Sequence, residues 1–317
     1  MISRRTFIRG VLAGAGTLFL GKPGRLLAAE REYKRIVVLG DPHLPVRTLQ
    51  HPDRKTQEDI VAAKNAVIED INSWTDVDAV VAVGDIVAQR AITAEYAYIR
   101  KFFNRLQPPL WVVNGNHEFC YQDEPTETGH ARRGDAAMRV RKLEQYQRFW
   151  QLPSRWYAKE LGGYHLVFLS AEGEMNTSML DEQIDWLRQD LESHRDETTL
   201  IFFHGPLKDT LLTYGKKINT PELIAQPEKV LDEILRANPQ VRLWVSGHTH
   251  TPATNYSYAA PGINAYLPNL TDIHNADMDR KKIWTNSLYL YPDRIEVRTF
   301  SHAKREWMPE FDRRYPK

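Results

Sequence analysis

The part of the sequence that best indicates the fold is the stretch Val245-Ser246-Gly247-His248-Thr249-His250. It includes the end of the apolar run Val241–Val245, which predicts a short buried strand. Two histidines separated by one residue, just after a strand end, can turn their imidazoles toward two different points. This spacing suits two neighbouring cations better than one, although two histidines alone do not define a metal site.

Other segments have the same form, in which an apolar strand ends in residues that can bind a metal. They are Ile36–Gly40 before Asp41-Pro42-His43, Ala79–Val83 before Gly84-Asp85, Leu110–Val113 before Asn114-Gly115-Asn116-His117-Glu118, and Leu200–Phe203 before His204-Gly205-Pro206. Helices are predicted between the first strands, one beginning at Thr56 and one over Thr93–Leu106. This alternation predicts βαβ units, whose functional residues lie beyond the carboxyl ends of the strands.

The order of these motifs, from Ile36 to His250, resembles that of the calcineurin-like metallophosphoesterases. The resemblance implies an α/β fold of the metallo-dependent phosphatase type, a four-layer αββα sandwich of two mixed β-sheets packed face to face and flanked by helices. The strand and helix patterns predict the same architecture. We expect residues 30–317 to form a single domain, because the motifs run without a repeat.

The second half of the chain continues with helices and hairpins. Further helices are predicted at 136–149, 180–191 and 226–237. Hairpins are predicted for 156–160 with 164–169 and for 283–291 with 294–300. We expect the later hairpin to close a second sheet and the residues from His302 to form a loose tail.

The N-terminus predicts a targeting signal over residues 1–29. Ser3-Arg4-Arg5-Thr6-Phe7-Ile8 resembles a twin-arginine export motif, and Leu27-Ala28-Ala29 suits cleavage. The apolar run Val11–Leu20 between them is too short to span a bilayer of ~30 Å. We expect export by the twin-arginine translocase to the periplasm or the extracellular space, without stable membrane insertion. The alternatives are an uncleaved amphipathic helix, which the glycines of this segment disfavour, or an expression scar.

The net charge of the mature chain disfavours a nucleic-acid-binding protein, and the cysteine content excludes an intramolecular disulfide. The segment 1–29 contains five basic residues and no acidic one, so its removal changes the formal net charge from +1 to −4. An acidic mature chain lacks the basic surface of a nucleic-acid-binding protein. Cys120 is the single cysteine, so no intramolecular disulfide can form. Stability must therefore come from the core, to which bound metal can add.

The family resemblance assigns metal ligands to individual residues of this chain. It implies that one metal is bound by Asp41, His43 and His250, that a second is bound by Asn116, His204 and His248, and that Asp85 bridges the two. Two metals about 3.5–4 Å apart can hold a bridging hydroxide and clamp the oxygens of a phosphate ester. A ligand set of carboxylate, imidazole and amide, without thiolate, suits Mn, Fe, Zn or Ni as the cofactors.

Residues next to the expected ligands are candidates for further roles. In the family the histidine at the position of His117 is a general acid for the leaving alcohol or a transition-state stabiliser. We expect Glu118 to support a turn and Cys120 to be a small buried thiol. Weaker candidates for contact with substrate are His130, Arg132 and Arg133 in the surface loop after the third motif, and His274 with Asn275.

Departures from known subfamilies narrow the substrate class. Purple acid phosphatases carry a tyrosine where this chain has Ala88, and protein phosphatases carry an arginine where it has Asn114. The run Gly84–Arg90 also lacks the second arginine of the protein phosphatases. Because such arginines would bind a dianionic phosphate in a bidentate way, their absence favours phosphodiesters.

The motif spacing also resembles the bacterial cyclic-nucleotide phosphodiesterase branch. The sequence thus favours an exported phosphodiesterase that acts on small nucleotide-like or glycerol-type esters. A broad-specificity phosphomonoesterase, a non-catalytic metal-dependent binding protein and a nuclease remain open, the nuclease being disfavoured by the acidic charge of the mature chain.

Overall fold

The apolar runs that precede the polar motifs form the central strands of two β-sheets. The computed structural model describes residues 31–127, 131–212 and 217–317, and Glu32–Lys317 form one compact unit. In chain order the strands are β1 (Lys34–Leu39), β2 (Ala79–Val83), β3 (Leu110–Val113), β4 (Tyr157–Leu161), β5 (Tyr164–Phe168), β6 (Thr199–Phe202), β7 (Val241–Ser246), β8 (Ala265–Leu267), β9 (Leu270–His274), β10 (Trp284–Leu290), β11 (Arg294–Ser301), β12 (Glu306–Trp307) and β13 (Arg313–Pro316). The helices are α1 (Arg54–Ser73), α2 (Thr93–Phe103), α3 (Ala136–Trp150), α4 (Asp181–Ser193), α5 (Glu228–Ala237) and α6 (Pro261–Asn264). The predicted signal segment 1–29 and His130 lie outside the described residues.

The first sheet contains the strands that carry the first three motifs. Its strand order is β12-β11-β10-β1-β2-β3, and β13 also pairs with β11. Strands β1, β2 and β3 are parallel to one another, whereas β10 pairs antiparallel with β1. The sequences KRIVVL in β1 and AVVAV in β2 are rich in β-branched residues and almost fully buried, as expected for strands covered on both faces.

The second sheet carries the remaining motifs. Its order is β4-β5-β6-β7-β9-β8, in which β5, β6, β7 and β9 are parallel and the edge strands β4 and β8 are antiparallel to their neighbours. His204 follows the end of β6, and His248 follows the end of β7. Both sheets are therefore mixed, and the motif residues of both follow the carboxyl ends of parallel strands.

Alternate residues along the central strands face two different layers. Val38 of β1 belongs to a buried cluster with Phe168 and Phe202 of the second sheet, so the two sheets pack face to face. Val37 lies instead in a cluster with residues of α1 and α2. Helices α4 and α5 contribute in the same way to a cluster on the outer face of the second sheet. The predicted αββα sandwich is confirmed.

Two expectations for the C-terminal part are wrong. The hairpin of β10 and β11 extends the first sheet instead of closing the second, because β10 pairs with β1. Its residues Leu288 and Val297 fill the space between the sheets. The residues after His302 do not form a loose tail, since β12 and β13 both pair with β11. Hydrophobic alternation predicts a hairpin but does not specify the sheet edge that it joins.

The helices begin and end close to their expected positions. Helix α1 starts at Arg54, before the expected Thr56, because the Asp53 carboxylate caps it by accepting a hydrogen bond from the Thr56 backbone N–H at 2.7 Å. Within the three described ranges, each helix is too short or too polar to cross a membrane.

Candidate metal centre

The polar residues after β1, β2 and β7 form a first group of possible ligands. One ligand atom each from Asp41, His43, Asp85 and His250 lie within 4.8 Å of one another. His250 Nε2 is 3.1 Å from His43 Nε2 and 3.3 Å from Asp41 Oδ1. His43 Nε2 is also 3.8 Å from Asp85 Oδ2. Residues far apart in the sequence therefore present nitrogen and oxygen atoms to one small volume.

A second group shares Asp85 with the first. Asp85, His204 and His248 also offer ligand atoms within 4.8 Å of one another. His204 Nε2 lies 3.3 Å from Asp85 Oδ2, 3.0 Å from His248 Nδ1 and 3.2 Å from Asn116 Oδ1. The structure thus brings all the residues of the expected ligand set together, in the two groups that the family resemblance implies, with Asp85 between them. Their roles as metal ligands stay a prediction.

Backbone carbonyls fix the orientation of three of these histidines. His43 Nδ1 lies 3.2 Å from the Ala88 carbonyl oxygen, and His204 Nδ1 lies 2.9 Å from that of Val83. His248 Nε2 lies 3.0 Å from the Glu222 carbonyl. Because a carbonyl only accepts, each of these nitrogens carries a proton, and a neutral ring offers the lone pair of its other nitrogen to the group. This donor set fits divalent metal ions such as Mn, Fe, Zn or Ni.

Five of the expected ligands adopt left-handed backbone conformations. The φ angles are +38° for Asp41, +43° for His43, +48° for Asp85, +64° for His248 and +53° for His250. Such conformations are costly for residues other than glycine and cluster at functional sites. The surrounding structure therefore stabilises strained turns, and these turns direct the five side chains into the site.

Glycines allow the backbone to approach the ligands closely. A Cβ on Gly84, whose φ is +92°, would lie 2.3 Å from His204 Nδ1. A Cβ on Gly247 would lie 2.3 Å from Asp41 Oδ2. Gly84 is needed for both its conformation and its small size, whereas the close approach alone requires glycine at position 247.

Glu118 connects the turns that carry the ligands. Its Oε2 accepts hydrogen bonds from the backbone N–H groups of Asp85 at 2.9 Å and Gly115 at 2.7 Å. Its Oε1 accepts from those of Ile86 at 2.7 Å and Val87 at 2.9 Å. Burial raises the pKa of Glu118, while these N–H donors act in the opposite direction. Because all four contacts are donors, the ionised carboxylate is the form that satisfies them. The expectation that Glu118 supports a turn is confirmed.

His117 stands at the edge of the site. Its Nδ1 lies 3.0 Å from the Gln89 carbonyl oxygen, and its Nε2 lies 4.0 Å from Asp85 Oδ2. The Nδ1 proton therefore points away from the ligands and Nε2 points toward them. Burial lowers the pKa of His117, although the Asp85 carboxylate partly opposes this. The imidazole can donate from Nε2 only after it has taken up a second proton.

Burial and neighbouring charges keep three of the four histidines of the expected ligand set neutral, whereas they favour the protonated form of His204. Burial lowers the pKa of His43, His250 and His248, the last to about 3, so these rings are neutral. Burial opposes charge on His204 too, but contact with Asp85 outweighs it and raises the pKa to about 9. Metal ligation requires neutral imidazole, so a cation bound between Asp85 and His204 would replace this proton.

Two residues at the site carry no motif signal and were missed by the sequence reasoning. Arg47 lies in the loop after β1, with Nη1 3.3 Å from His250 Nδ1. The Tyr121 ring centroid is 4.9 Å from that of His117, and its hydroxyl accepts a hydrogen bond from Asn116 Nδ2 at 3.3 Å. Burial raises the pKa of Tyr121 to about 12, so the phenol stays protonated. The only sequence signal was position along the chain, because Arg47 lies shortly after the first motif and Tyr121 begins the loop after the third.

The weaker candidates have structural partners. His274 is buried, with Nε2 2.9 Å from the Thr210 carbonyl oxygen, and Asn275 Nδ2 donates to the Ser246 carbonyl at 2.9 Å. The Arg133 guanidinium donates to Asn176 Oδ1 at 2.8 Å. Arg132 is exposed. The contacts of His274 and Asn275 are therefore with other parts of the fold and do not indicate contact with substrate.

Cys120 and Asn114 are likewise engaged within the fold. Cys120 is buried, which raises its pKa to about 12 and keeps the thiol protonated, as expected for a structural cysteine. Asn114 Nδ2 donates to the Ala171 carbonyl at 2.7 Å, and its Oδ1 accepts from Ser170 Oγ at 2.6 Å. The Asn114 side chain therefore fastens β3 to the neighbouring sheet.

A further group of histidine and carboxylate side chains lies on the second sheet. Glu160, His165 and His194 offer ligand atoms within 4.8 Å of one another. However, His165 Nδ1 is 2.5 Å from Glu160 Oε1, and its Nε2 is 2.8 Å from Asp190 Oδ2. A ring with a carboxylate at both nitrogens is stabilised as an imidazolium, which has no lone pair for a metal.

The fold and the arrangement of this site are those expected of a metal-dependent phosphoester hydrolase. The sequence model of the calcineurin-like phosphoesterases matches residues 34–252, more than half of the chain. The chain therefore belongs to the calcineurin-like phosphoesterase family, whose members depend on a dinuclear metal centre.

Solved structures are similar in fold but distant in sequence. A dimetal phosphatase from Danio rerio is 15% identical, with a TM-score of 0.55 over 89% of this chain and 98% of that one. A purple acid phosphatase from yellow lupin (Lupinus luteus) seeds is 12% identical, with a TM-score of 0.59 over 90% of this chain and 54% of that one. At these identities the likeness concerns the fold alone. A search of curated protein sequences gave no match.

Proposed function

We propose that the protein is a dinuclear-metal phosphodiesterase that hydrolyses small nucleotide-like or glycerol-type diesters, as in the bacterial cyclic-nucleotide phosphodiesterase branch. The observation that carries the proposal is the sharing of Asp85 by two adjacent groups of ligand atoms. A carboxylate suits this position because its Oδ2 faces both groups, at 3.8 Å from His43 Nε2 and 3.3 Å from His204 Nε2, while Oδ1 accepts a hydrogen bond from the His117 backbone N–H at 2.8 Å. A single-metal site would not need a second pair of imidazoles, in which His204 Nε2 lies 3.3 Å from Asp85 Oδ2 and 3.0 Å from His248 Nδ1.

Each side chain has a defined task in this proposal. Asp41, His43 and His250 would hold one metal, Asn116, His204 and His248 the other, and Asp85 both. When bound, such a pair of metals supplies an activated water and compensates charge on the phosphoryl oxygens. His117, in its protonated form, donates from Nε2 to the leaving alcohol oxygen. The Gln89 carbonyl keeps the other ring nitrogen protonated and so directs Nε2 toward the site.

The partners of nearby arginines support a diester in preference to a monoester. Arg90 donates to the Asp123 carbonyl at 2.6 Å, Arg133 is engaged by Asn176, and Arg47 points at His250 while Asp279 binds its Nε at 2.9 Å. Each of these three guanidiniums is thus already engaged by other protein groups. A diester phosphate carries a single negative charge and needs less compensation.

A broad-specificity phosphomonoesterase is the second candidate. Arg47 is the observation that favours it, because a cation so close to His250 would stabilise an added negative charge on a substrate if its side chain turned. A non-catalytic metal-binding protein is the third candidate, and it gives no reason for the orientation of His117 by Gln89.

The test is hydrolysis of bis(p-nitrophenyl) phosphate and p-nitrophenyl phosphate by metal-stripped protein resupplied with Mn, Fe, Zn or Ni. We expect faster turnover of the diester, dependent on metal and abolished by Asp85→Asn. The control is Asp185→Asn, the same change on an exposed side chain of α4. Preference for the monoester would move the assignment to a phosphatase. Absence of metal-dependent turnover of either ester would contradict the proposed activity.

We also propose export by the twin-arginine translocase, supported by Ser3–Ile8 and the following apolar run. Changing Arg4 and Arg5 together to lysine should leave the chain in the cytoplasmic fraction at its full length. Equal amounts of shortened protein in the periplasm for both forms would contradict this proposal.

A further inference from the structure

Tyr121 lies where the second ligand group meets His117. Its hydroxyl oxygen is 3.3 Å from Asn116 Nδ2, and its ring centroid is 4.9 Å from that of His117. The other amide atom, Asn116 Oδ1, lies 3.2 Å from His204 Nε2. The tyrosine therefore contacts both an expected metal ligand and the side chain that the proposed function assigns to the leaving alcohol. Its hydroxyl borders the space in which the phosphoryl group of a substrate would lie.

The Tyr121 hydroxyl uses its oxygen, but not its proton, within the fold. An amide NH₂ group only donates, so the hydroxyl oxygen accepts the hydrogen bond from Asn116. Among the residues that the structure describes, this hydroxyl has a donor as its partner but no acceptor. Tyr266 differs, because its hydroxyl donates to Asp232 Oδ1 at 2.9 Å. The proton of the Tyr121 hydroxyl is thus available to a bound molecule.

The backbone around Tyr121 fixes the position of the phenol. The Cys120 N–H donates to the Asn116 carbonyl at 2.8 Å, which closes the turn directly before Tyr121. Tyr121 itself forms an antiparallel bridge with Arg133 on the other side of the loop. Its side chain is half-buried between the ring of His117 and the amide of Asn116. The hydroxyl therefore stands at the site without any movement of the loop.

We propose that Tyr121 is a catalytic residue whose hydroxyl donates a hydrogen bond to a non-bridging oxygen of the substrate phosphoryl group. The proton stays on the phenol, so the contact stabilises charge without proton transfer. A phenol adds no charge, which suits the single negative charge of a diester, whereas a guanidinium fork suits a dianion. The donor is preorganised, because Asn116 and His117 hold it before substrate binds. The inference rests on the proposed function in requiring that this site binds a phosphate group.

The first experiment compares the turnover of Tyr121→Phe with that of the wild type, both loaded with Mn²⁺. Phenylalanine keeps the ring beside His117 and removes only the hydroxyl. The kcat/KM for bis(p-nitrophenyl) phosphate should fall by on the order of 10- to 100-fold, the range for one hydrogen bond to a charged group. Tyr98→Phe is the control, because it makes the same change on a half-buried tyrosine of α2 whose ring packs on Phe102. This control should resemble the wild type.

The second experiment measures binding by calorimetry and does not depend on turnover. Metal-free protein is titrated with Mn²⁺, and the loaded protein is then titrated with inorganic phosphate. Tyr121→Phe should bind as many Mn²⁺ ions as the wild type, with the same affinities. It should bind inorganic phosphate on the order of tenfold more weakly, because the hydrogen bond to the anion is lost.

The outcomes separate this inference from the proposed function. Diester turnover and phosphate affinity that Tyr121→Phe leaves unchanged would overturn the inference alone. Loss of Mn²⁺ binding in this variant would also overturn it, because the hydroxyl would then act by orienting the Asn116 amide. Weaker phosphate binding by the variant, together with a wild type that hydrolyses neither ester, would support the hydrogen bond and contradict only the proposed activity. Absence of both phosphate binding and turnover in the wild type would overturn the two together.

Discussion

Replacing Glu118 by glutamine tests how the ligand-bearing turns are held together. The carboxylate accepts four backbone hydrogen bonds, two on each oxygen, from Asp85, from the two residues that follow it and from Gly115. In Glu118→Gln an NH₂ group takes the place of one oxygen and faces two N–H donors. Hydrogen bonds to a charged group contribute about 1.5–3 kcal/mol each, so losing two should lower the free energy of unfolding by roughly 3–6 kcal/mol.

The assay is urea denaturation of metal-free protein at pH 7, followed by far-ultraviolet circular dichroism. A loss of this size is a large part of the roughly 5–15 kcal/mol typical of a folded domain. Glu192→Gln, the same change on an exposed side chain of α4, is the control and should have little effect. A loss of less than about 1 kcal/mol would refute the reasoning, because it would mean that Glu118 is protonated and already resembles glutamine.

Other expected outcomes concern catalysis, pH and thiol reactivity. His117→Ala should lower the turnover of bis(p-nitrophenyl) phosphate by about 10²- to 10⁴-fold without changing the number of Mn²⁺ ions bound, and unchanged turnover would favour a binding protein. Burial opposes charge on His165, but contact with Asp190 outweighs it and raises its pKa, so its contribution to stability is fully present below pH 6.5 and is lost as pH rises through the raised value. Melting temperatures from pH 5.5 to 9 should fall by this mechanism in the wild type, and Asp190→Asn should flatten the fall. Cys120, whose pKa burial raises to about 12, should react with iodoacetamide at pH 8 only after unfolding, and rapid alkylation of the native protein would contradict its burial.

The central strands and their order of motifs were predictable because each has a strong local signal. Runs such as Ala79–Val83 are short, apolar and β-branched, and a ligand-type residue follows each one. The hairpin of β10 and β11 was predicted as a hairpin but assigned to the wrong sheet. Its place beside β1 depends on how Leu288 and Val297 fill the space between the sheets, which the local sequence does not contain.

The candidate site was predictable to the extent that its residues stand in motifs. The family resemblance implied the two groups of ligands around Asp85, and the carboxyl ends of strands from both sheets bring these residues together. Arg47 could not be predicted, because it reaches His250 through a loop whose course is set by Asp279 and Lys64, both distant in sequence. The loop arginines Arg132 and Arg133 were candidates for contact with substrate, but Arg47 was not, because no motif includes it.

The most direct test of the central claim is anomalous diffraction from crystals of the Mn²⁺-loaded protein. We expect two peaks about 3.5–4 Å apart on either side of the Asp85 carboxylate, one beside His43 and one beside His204. A single peak, or peaks away from Asp85, would contradict a shared two-metal centre.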